Sequence, residues 1–324
     1  MNKNSAAILA LLRQSGDYIS GEGLSRSLGI SRTAVWKHVG SLRGGGYQID
    51  AVPSLGYRLK GSPDLLNDTE ISGGLCGRVV GQKLLVVKET GSTNQDAFRL
   101  AEEGAPDGTV VMAESQTAGK GRLGRKWESP AGVNIYCSVV LRPQIMPYEA
   151  PQLTFLSAVA VARAIEAETG LAPSIKWPND ILIDGCKVAG LLNEMSAETD
   201  RVAFVVLGIG VNLNMSESQF PKDLRQPATS LAIKCGRKVS RAGFATVMLN
   251  ELDRCYSDFI ASGLDGIRAE WERRCNAYGR EVVVESGSSL IQGSFAGIDQ
   301  DGAMLVLMPD GSRERIISGD VRVL

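Results

Sequence analysis

Apolar residues in the first 45 positions recur at the spacing of short amphipathic helices. These positions are Ile8, Leu9, Leu11 and Leu12, then Leu24 and Leu28, then Val35, Val39 and Leu42. Ser20 and Ser31 precede the second and third groups, and serine is a favoured helix N-cap because its hydroxyl accepts from a free backbone N–H. Gly29 lies between these two groups and permits a tight turn. The pattern predicts three short helices with a turn between the last two.

The polar side of the third predicted helix carries side chains of the kind that contact DNA phosphates and bases, namely Arg32, Thr33, Lys37 and Arg43. Two strand-like segments follow at 47–52 and 56–59, separated by Pro53 and Ser54. A hairpin directly after a recognition helix is typical of a winged helix, in which Arg58 would reach a phosphate. The segment therefore predicts a DNA-binding head, and the alternative is a three-helix interaction module that binds no nucleic acid.

From about residue 66 the pattern changes to a mixture of strands and helices. Strands are predicted at 86–87, 109–114, 133–141 and 202–211, and helices at 153–165 and 244–259. The segment 202–211 is nearly all apolar, which predicts a strand covered on both faces. Gly170 closes the first helix. This order predicts a mixed sheet backed by helices.

The end of the chain, from about Asn276, is predicted to be rich in strands, at 281–285, 290–298, 303–308 and 313–318. Turn signals at Ser286-Gly287, Asp301-Gly302 and Asp310-Gly311 separate the strands. Short strands at this spacing predict a small closed barrel.

Charge is unevenly distributed along the chain. Residues 1–65 hold eight Lys or Arg and four Asp or Glu, a charge of +4, whereas the whole chain carries −1, so the remainder carries −5. A basic head on an acidic body indicates that the head contacts a polyanion. No apolar run approaches the roughly 18–20 residues that span a bilayer. The apolar stretch at 6–12 lacks a following cleavage site, so no membrane contact and a cytoplasmic location are expected.

Cysteine and histidine usage limits the kinds of metal site, disulfide and catalytic site that the chain can form. Six cysteines are scattered without a C-x-x-C pair, which argues against a zinc site and a disulfide framework. The only histidine is His38, in the predicted recognition helix, so a serine–histidine–aspartate triad is disfavoured. We therefore expect the chemistry to depend on lysine, arginine, backbone N–H groups and a metal ion that the protein does not hold by itself.

A glycine-rich basic segment follows the strand predicted at 109–114. It reads GKGRLGRKW from Gly119 to Trp127, with three glycines in six residues and cations at Lys120, Arg122 and Arg125. Such a loop turns tightly and presents N–H groups and positive charge to an anion. Its spacing is neither that of a Walker A loop nor that of a dinucleotide-binding fingerprint. It predicts phosphate binding, and the alternative is a solvated basic loop.

The segment KWPND, from Lys176 to Asp180, opens a predicted hairpin. Two strand-like runs flank an Asp184-Gly185 turn, so Lys187 begins the second strand. A lysine fixed on a strand is suited to holding a carboxylate and a phosphate together. Taken alone, the alternative of an exposed solubilising charge is favoured.

Together these motifs resemble the bifunctional biotin–protein ligases that also repress the biotin operon. The matching residues are Ser92-Thr93-Asn94, Gln116, GKGRLGRKW, KWPND, Lys187-Val188-Ala189-Gly190 and Gly208-Ile209-Gly210-Val211-Asn212, and the head matches in ISRTAVWKHVGSLR. The resemblance covers essentially the whole chain. One departure is the loop GKGRLGR, where GRGRRGR is commoner, so Lys120 keeps the charge but loses the planar fork.

The resemblance implies an α+β chain of three domains. These are a winged helix-turn-helix at 1–65, a mixed-sheet catalytic domain like that of class II aminoacyl-tRNA synthetases at 66–275, and an SH3-like β-barrel at 276–324. The implied reaction joins biotin to AMP from ATP, with Mg²⁺ on the nucleotide and no metal site of the protein's own. Biotin then passes to a lysine of the biotin carboxyl carrier protein. Bound adenylate would favour a homodimer that binds operator DNA.

The resemblance also implies residue roles. Ser92, Thr93, Asn94 and Gln116 would bind the ureido ring of biotin. Lys120, Gly121 and Arg122 would close over its carboxylate and the phosphate. Lys187 and Arg122 would be the catalytic residues, and Trp127 and Asn212 would contact adenine. Arg313 and Arg315 would touch ATP or the acceptor protein, or else form a plain solvated strand face.

Two other functions remain open from the sequence. One is a ligand-sensing repressor with an inactive ligase body, which biotin-dependent ATP–pyrophosphate exchange would distinguish. The other is a lipoate or octanoate ligase on a related fold, which competition between biotin and lipoate would distinguish.

Overall fold

The computed structural model describes residues 3–287 and 289–324, which divide into two units at Gly73 and Gly74. The first unit contains α1 (Lys3–Ser15), α2 (Gly21–Leu28), α3 (Arg32–Gly44), β1 (Gln48–Val52), β2 (Gly56–Gly61) and α4 (Asp68–Ser72). Ser20 and Ser31 cap α2 and α3, each accepting from the backbone N–H three residues later. Gly29 ends α2 in the left-handed region, at φ 64°. The predicted helix-turn-helix is confirmed, and β1 and β2 form the predicted hairpin.

The predicted apolar stripes meet in one core within the first unit. Its buried members are Ile8, Leu9, Leu12, Leu24, Val35, Val39, Leu42, Tyr47 and Ile49. His38 also has a structural contact, since its Nδ1 lies 3.0 Å from Oγ of Ser5 on α1. Burial of these side chains against one another holds α3 in place and leaves its polar side facing outward.

The second unit is built on a seven-stranded mixed sheet of order β3-β4-β5-β9-β8-β7-β6. Its strands are β3 (Leu84–Thr90), β4 (Val110–Gln116), β5 (Ile135–Leu141), β6 (Ser174–Lys176), β7 (Asp180–Ile183), β8 (Cys186–Ala197) and β9 (Val202–Val211). Its helices are α5 (Thr93–Glu102), α6 (Gln152–Thr169), α7 (Leu231–Cys235), α8 (Arg241–Ser262) and α9 (Asp265–Arg274). β3 and β4 are parallel and the other neighbours are antiparallel. The predicted mixed sheet is confirmed.

Helices cover both faces of the central strands. On one face α5 packs on β4, β5 and β9, with Ala97, Val140 and Val206 in the buried cluster. A second helix, α6, also contacts the sheet, and it packs on α8 and α9. The rings of Phe155 on α6 and Trp271 on α9 meet edge to face, with their centres 5.0 Å apart. All seven residues of β5 are buried, because the strand is covered on both sides.

The end of the chain forms an antiparallel sheet of order β13-β12-β11-β10-β14. Its strands are β10 (Glu281–Ser286), β11 (Ser289–Ile298), β12 (Met304–Leu307), β13 (Arg313–Ile316) and β14 (Asp320–Val323). The first four were predicted and β14 was not. Strands β13 and β14 are its edges, and within 3–287 and 289–324 no pairing closes the predicted barrel.

This sheet is anchored to the body near KWPND. The indole N–H of Trp177 donates to the carbonyl oxygen of Gly302 at 3.3 Å, and the Gln152 side-chain amide donates to Gln300 at 3.0 Å. A Cβ at Gly302 would lie 2.2 Å from the ring of Phe155, so glycine allows this close approach. In the part of the chain that the structure describes, no helix combines the length and apolar character needed to cross a membrane.

Candidate active site and nucleic-acid interface

The floor of the main cavity is a patch of sheet without side chains. Gly190 and Gly210 are paired across β8 and β9, and Gly208 lies two residues before Gly210 on the same face. A Cβ at 210 would lie 2.6 Å from Trp127 and one at 208 would lie 2.3 Å from Oδ1 of Asn94. Glycine therefore lets other groups lie directly on the strands. The cavity has a volume of about 800 Å³, suited to a small molecule.

The structure brings the predicted ligand-binding residues of the body together around this cavity. They are Ser92, Thr93, Asn94, Gln116, Lys120, Gly121, Arg122, Trp127, Lys187 and Asn212. They come from the start of α5, the end of β4, the glycine-rich segment and strands β8 and β9. Residues up to 120 positions apart in the chain thus converge on one site.

The glycine-rich segment is a loop closed at its base. The backbone N–H of Trp127 donates to the carbonyl of Gly119 at 2.9 Å, and that of Gly121 donates to Arg125 at 2.7 Å. A Cβ at Gly119 would lie 2.5 Å from the Trp127 carbonyl oxygen. At the tip, Leu123 is 75% exposed and adopts φ 57°, a left-handed conformation rare for leucine. The loop therefore projects from a fixed base over the cavity.

Lys187 is rigidly mounted at the start of β8. Its backbone N–H donates to Pro227 at 2.8 Å, and its carbonyl oxygen accepts from Thr229 at 2.9 Å. Its ammonium group donates to Asp180 Oδ1 at 2.6 Å and lies 5.4 Å from the centre of the Trp127 ring. An ammonium group has three donors, so two remain for a ligand beyond the one that Asp180 accepts.

KWPND connects the glycine-rich loop to the sheet through Asn179. Its side-chain oxygen accepts from Arg122 at 3.2 Å, and its amide nitrogen donates to Leu191 on β8 at 2.6 Å. Burial lowers the pKa of the Arg122 guanidinium and of the Lys176 ammonium group. Because water is partly excluded, these cations attract an anion more strongly than they would on an open surface.

The cavity lining is electropositive although the body as a whole is acidic. Eight cations line it, namely Lys120, Arg122, Arg125, Lys126, Lys176, Lys187, Arg225 and Arg322, against the five acids Glu128, Asp180, Asp223, Glu285 and Asp320. Clefts of one sign of charge concentrate oppositely charged substrates. The lining therefore favours a polyanionic ligand such as a nucleotide.

The carboxyl-terminal sheet contributes directly to this lining through Asp320 on β14. Its carboxylate pairs with Arg125 of the glycine-rich loop and lies 3.8 Å from Arg225. The hydrogen bond from Arg125 holds the pKa of the Asp320 carboxyl below its usual range. Arg315, proposed from the resemblance for ATP or the acceptor, instead pairs with Asp299 and Asp301.

Several lining residues were not predicted. Lys176 was visible within KWPND, and a count of every cation in the motif would have included it. Arg225, Asp320 and Arg322 lie in segments without a local motif, and they reach the cavity only through the tertiary fold.

In the first unit, α3 presents a polar face with one large apolar residue. Arg32, Thr33 and Lys37 are exposed, as predicted, and Trp36 beside them is 66% exposed. Arg43 is also exposed, but its Nε donates to the carbonyl oxygen of Ile49 on β1 at 2.8 Å. Sequence reasoning missed Trp36, although it follows Arg32 and Thr33 by four and three residues and therefore lies on the same side of α3.

The wing carries the other predicted phosphate contact of this unit. Arg58 stacks over the ring of Tyr18 at 4.5 Å and lies 4.0 Å from Asp50. Its charge is thus partly engaged within the wing. An open cleft of about 680 Å³ lies between the wing and the start of α3, lined by Arg32, Thr33 and Trp36 among others.

Known proteins match the chain along almost its whole length. Residues 86–212 match the Biotin/lipoate A/B protein ligase family, 4–58 an HTH domain and 278–324 the Biotin protein ligase C terminal domain. The bifunctional ligase/repressor BirA of Bacillus spizizenii is 42% identical over 98% of this chain and 97% of its own length. This chain belongs to the bifunctional ligase/repressor family.

Two further relatives match this chain, one over almost its whole length and the other over three quarters of it. The bifunctional ligase/repressor BirA of Escherichia coli is 34% identical over 97% of this chain and 95% of its own length. The structure of a biotin protein ligase from Aquifex aeolicus in complex with biotin and ATP superposes with a TM-score of 0.64. It is 30% identical and covers 75% of this chain and 100% of its own. The ligase/repressor family thus shares both the head and the body of this chain.

Proposed function

We propose that this protein activates biotin with ATP, transfers it to a lysine of the biotin carboxyl carrier protein, and represses biotin biosynthesis genes when it retains the adenylate. One observation carries the ligase half: the predicted ligand-binding residues line one electropositive cavity above a glycine floor. Lys187 is fixed there by backbone hydrogen bonds on both sides.

In the first step, a carboxylate oxygen of biotin forms a bond to the α-phosphorus of ATP. The bond from that phosphorus to the bridging oxygen breaks, and pyrophosphate leaves with the electron pair. Lys187 would offer its two remaining N–H donors to the carboxylate and the α-phosphate, whereas Arg122 and Lys120 would balance the charge above them. Holding both reactants at one fixed ammonium group supplies proximity and orientation.

Mg²⁺ would enter with ATP and reduce repulsion between its phosphates. Proteins often hold Mg²⁺ with one or two carboxylates plus phosphates and water. Across 3–287 and 289–324 no group of three or more potential metal-binding side chains occurs. The carboxylate beside Lys187 belongs to Asp180, so we propose Asp180 as the protein's contribution to the ion's surroundings.

In the second step, the amine of the acceptor lysine attacks the carbonyl carbon of biotinyl-5′-AMP. The bond to the phosphate oxygen breaks, AMP leaves, and the amine loses a proton. The closed base of the glycine-rich loop supports a cover that would keep water from the anhydride. Trp127 and Asn212 are the proposed adenine contacts.

The repressor half depends on the first unit, with Arg32, Thr33 and Lys37 as the proposed DNA contacts. Arg43, which contacts Ile49, would reach phosphate with its remaining donors. A homodimer formed with retained adenylate would present two heads to a two-fold operator. Operator binding would place the protein in the cytoplasm.

We also propose the domain boundaries 1–65, 66–275 and 276–324. The contact of Asp320 with the glycine-rich loop supports a functional role for the last domain. Its five short antiparallel strands suit an SH3-like arrangement. Likewise, the antiparallel strands backed by α6, which itself packs on α8, suit a class II synthetase-like catalytic domain.

Mass spectrometry of the pure protein mixed with ATP, Mg²⁺ and biotin tests the ligase proposal. We expect retained biotinyl-5′-AMP and biotin-dependent ATP–pyrophosphate exchange. Lipoate or octanoate in place of biotin should yield neither. Exchange that requires lipoate would instead identify a lipoate ligase, and a protein inert to every acid would be a sensor without ligase activity.

Trp36→Ala should weaken DNA binding by about tenfold or more while leaving ligation unchanged. The exposed indole suits apolar contact with a thymine methyl group, and the loss of recognition at one base pair of a specific site typically costs about 1–3 kcal/mol. The measurement is fluorescence anisotropy with a labelled duplex selected by the wild-type protein. Arg26→Ala is the control, since Arg26 is exposed on α2 and paired with Glu22. Equal affinity of the Trp36→Ala variant and wild type would exclude Trp36 from the interface.

A further inference from the structure

The amide of Asn94 lies across three strands of the sheet. It sits above Gly208 of β9, where any Cβ would lie 2.3 Å from its Oδ1. On the β5 side, Oδ1 is 2.6 Å from the hydroxyl of Ser138. On the β8 side, Nδ2 is 2.7 Å from Oε2 of Glu194 and 3.3 Å from the carbonyl oxygen of Leu192. Asn94 is buried, so its hydrogen bonds must be satisfied here.

The partners on the β8 side fix which way this amide points. The carboxylate of Glu194 and the carbonyl of Leu192 can only accept hydrogen bonds. The Nδ2 of Asn94 must therefore face them, and Oδ1 must face Ser138. An amide is otherwise free to exchange these two ends, because they have almost the same shape.

Asn94 belongs to a hydrogen-bond network that continues through Ser138, Thr93, Gln116 and Ser129, and the backbone carbonyl of Trp127 fixes its other end. The Ser129 hydroxyl donates to the Trp127 carbonyl at 3.0 Å, and Ser129 accepts from Nε2 of Gln116 at 2.9 Å. The Oε1 of Gln116 then accepts from the backbone N–H of Thr93 at 2.9 Å and from its hydroxyl at 3.1 Å. The hydroxyl proton of Thr93 thus points toward Gln116 and away from Ser138, which lies at the centre of the network.

The centre of the network consequently has more acceptors than protons. Ser138 lies 2.8 Å from Oγ1 of Thr93 and 2.6 Å from Oδ1 of Asn94, and it has one proton for the two. One oxygen acceptor is therefore left for a ligand that brings an N–H donor. The ureido ring of biotin has two N–H groups, whereas a lipoyl or octanoyl chain has none.

We propose that Glu194 is a positioning residue that sets this polarity and thereby selects a ligand with N–H donors over a simple acyl chain. The inference rests on the proposed function, since it takes biotin to be the acid that enters this cavity. Glu194 acts through Asn94 and need not touch biotin.

The test is Glu194→Gln in the full-length protein. Glutamine can donate as well as accept, so only the longer hydrogen bond to the Leu192 carbonyl, at 3.3 Å, then opposes a turn of the Asn94 N–H₂ toward Ser138. The KM for biotin should rise about 10- to 100-fold, as expected when a buried donor or acceptor loses its partner. The KM for ATP and the inhibition constant of octanoate should change less than about twofold.

A swapped pair provides the decisive control. Asn94→Asp combined with Glu194→Gln exchanges carboxylate and amide and keeps an acceptor facing Ser138, with the loss only of the 3.3 Å hydrogen bond to the Leu192 carbonyl. We expect this double variant to recover much of the biotin affinity lost in Glu194→Gln. Glu198→Gln, at the exposed end of the same hairpin and paired with Arg201, should resemble wild type.

Three results would overturn the inference. They are an unchanged KM for biotin in folded Glu194→Gln, an equal rise in the KM values for biotin and ATP, and a swapped pair no better than the single variant. Thermal unfolding checks that each variant is folded. A wild-type protein that never uses biotin would instead refute the proposed function.

Discussion

Replacing Lys187 with alanine is expected to lower biotin-dependent ATP–pyrophosphate exchange by about 10²–10³-fold while the protein stays folded. The substitution removes the ammonium group that would face the carboxylate and α-phosphate, and charge builds at that point in the reaction. It leaves the backbone bonds to Pro227 and Thr229 in place. The measurement is exchange of labelled pyrophosphate into ATP, with circular dichroism and thermal unfolding to check the fold.

The chain offers a matched control for this variant in Lys234. The side chains of Lys187 and Lys234 are both 24% exposed, and each ammonium group pairs with an aspartate, Asp180 or Asp184. Lys234 does not line the cavity, so Lys234→Ala should retain exchange. Wild-type exchange by folded Lys187→Ala would rule out its proposed role, and loss of exchange in both variants would point to a general effect of lost ion pairs.

Gly210→Ala should weaken biotin binding by about 10- to 100-fold. The added methyl group would lie 2.6–2.8 Å from three atoms of the Trp127 indole. Overpacking of this kind typically costs about 1–3 kcal/mol, and an indole that moves off the strand to relieve it would enter the cavity that biotin is proposed to occupy, where 1.4 kcal/mol corresponds to a tenfold change in affinity. The measurement is isothermal titration of the pure protein with biotin.

A second substitution tests whether the indole is responsible. Trp127→Phe removes the atoms that the new methyl would meet, which are Cε2, Nε1 and Cζ2. Gly210→Ala with Trp127→Phe should therefore bind biotin better than Gly210→Ala alone. Gly40→Ala, where a Cβ meets nothing within 4 Å, is the control. If the loss of biotin-binding free energy in the double variant equals the sum of the losses in the two single variants, the methyl group at position 210 and the indole act independently.

Local patterns predicted most of the fold because they act within a few residues. Ser20 and Ser31 are N-caps, Gly170 ends α6 at φ 72°, and Asp184-Gly185 turns between β7 and β8. Strand β14 was not predicted, although it is as long as β12 and β13, which were. Closure of the final sheet was expected from strand spacing, which carries no information about whether the two edge strands meet.

The site was predictable where its residues form motifs. Gln116, the glycine-rich loop and Lys187 stand in recognisable stretches, and the cavity contains all of them. Glu194 and Asp320 were not predicted, because their roles depend on partners 100 and 195 positions away in the chain. Such pairs are created by the tertiary fold, which brings α5 onto β8 and the glycine-rich loop onto β14, and a single sequence does not reveal these neighbours.

The bare glycine floor has a consequence for attempts to make this enzyme more heat-resistant. Replacing strand glycines with larger residues is a common way to stiffen a chain, since each glycine loses more freedom on folding than alanine does, by about 0.5–1 kcal/mol. At Gly190, Gly208 and Gly210 that route is blocked by the side chains lying on them. Thermostabilising changes should therefore be sought in the outer helices, because these strands, bare of side chains, form the floor of the proposed binding cavity.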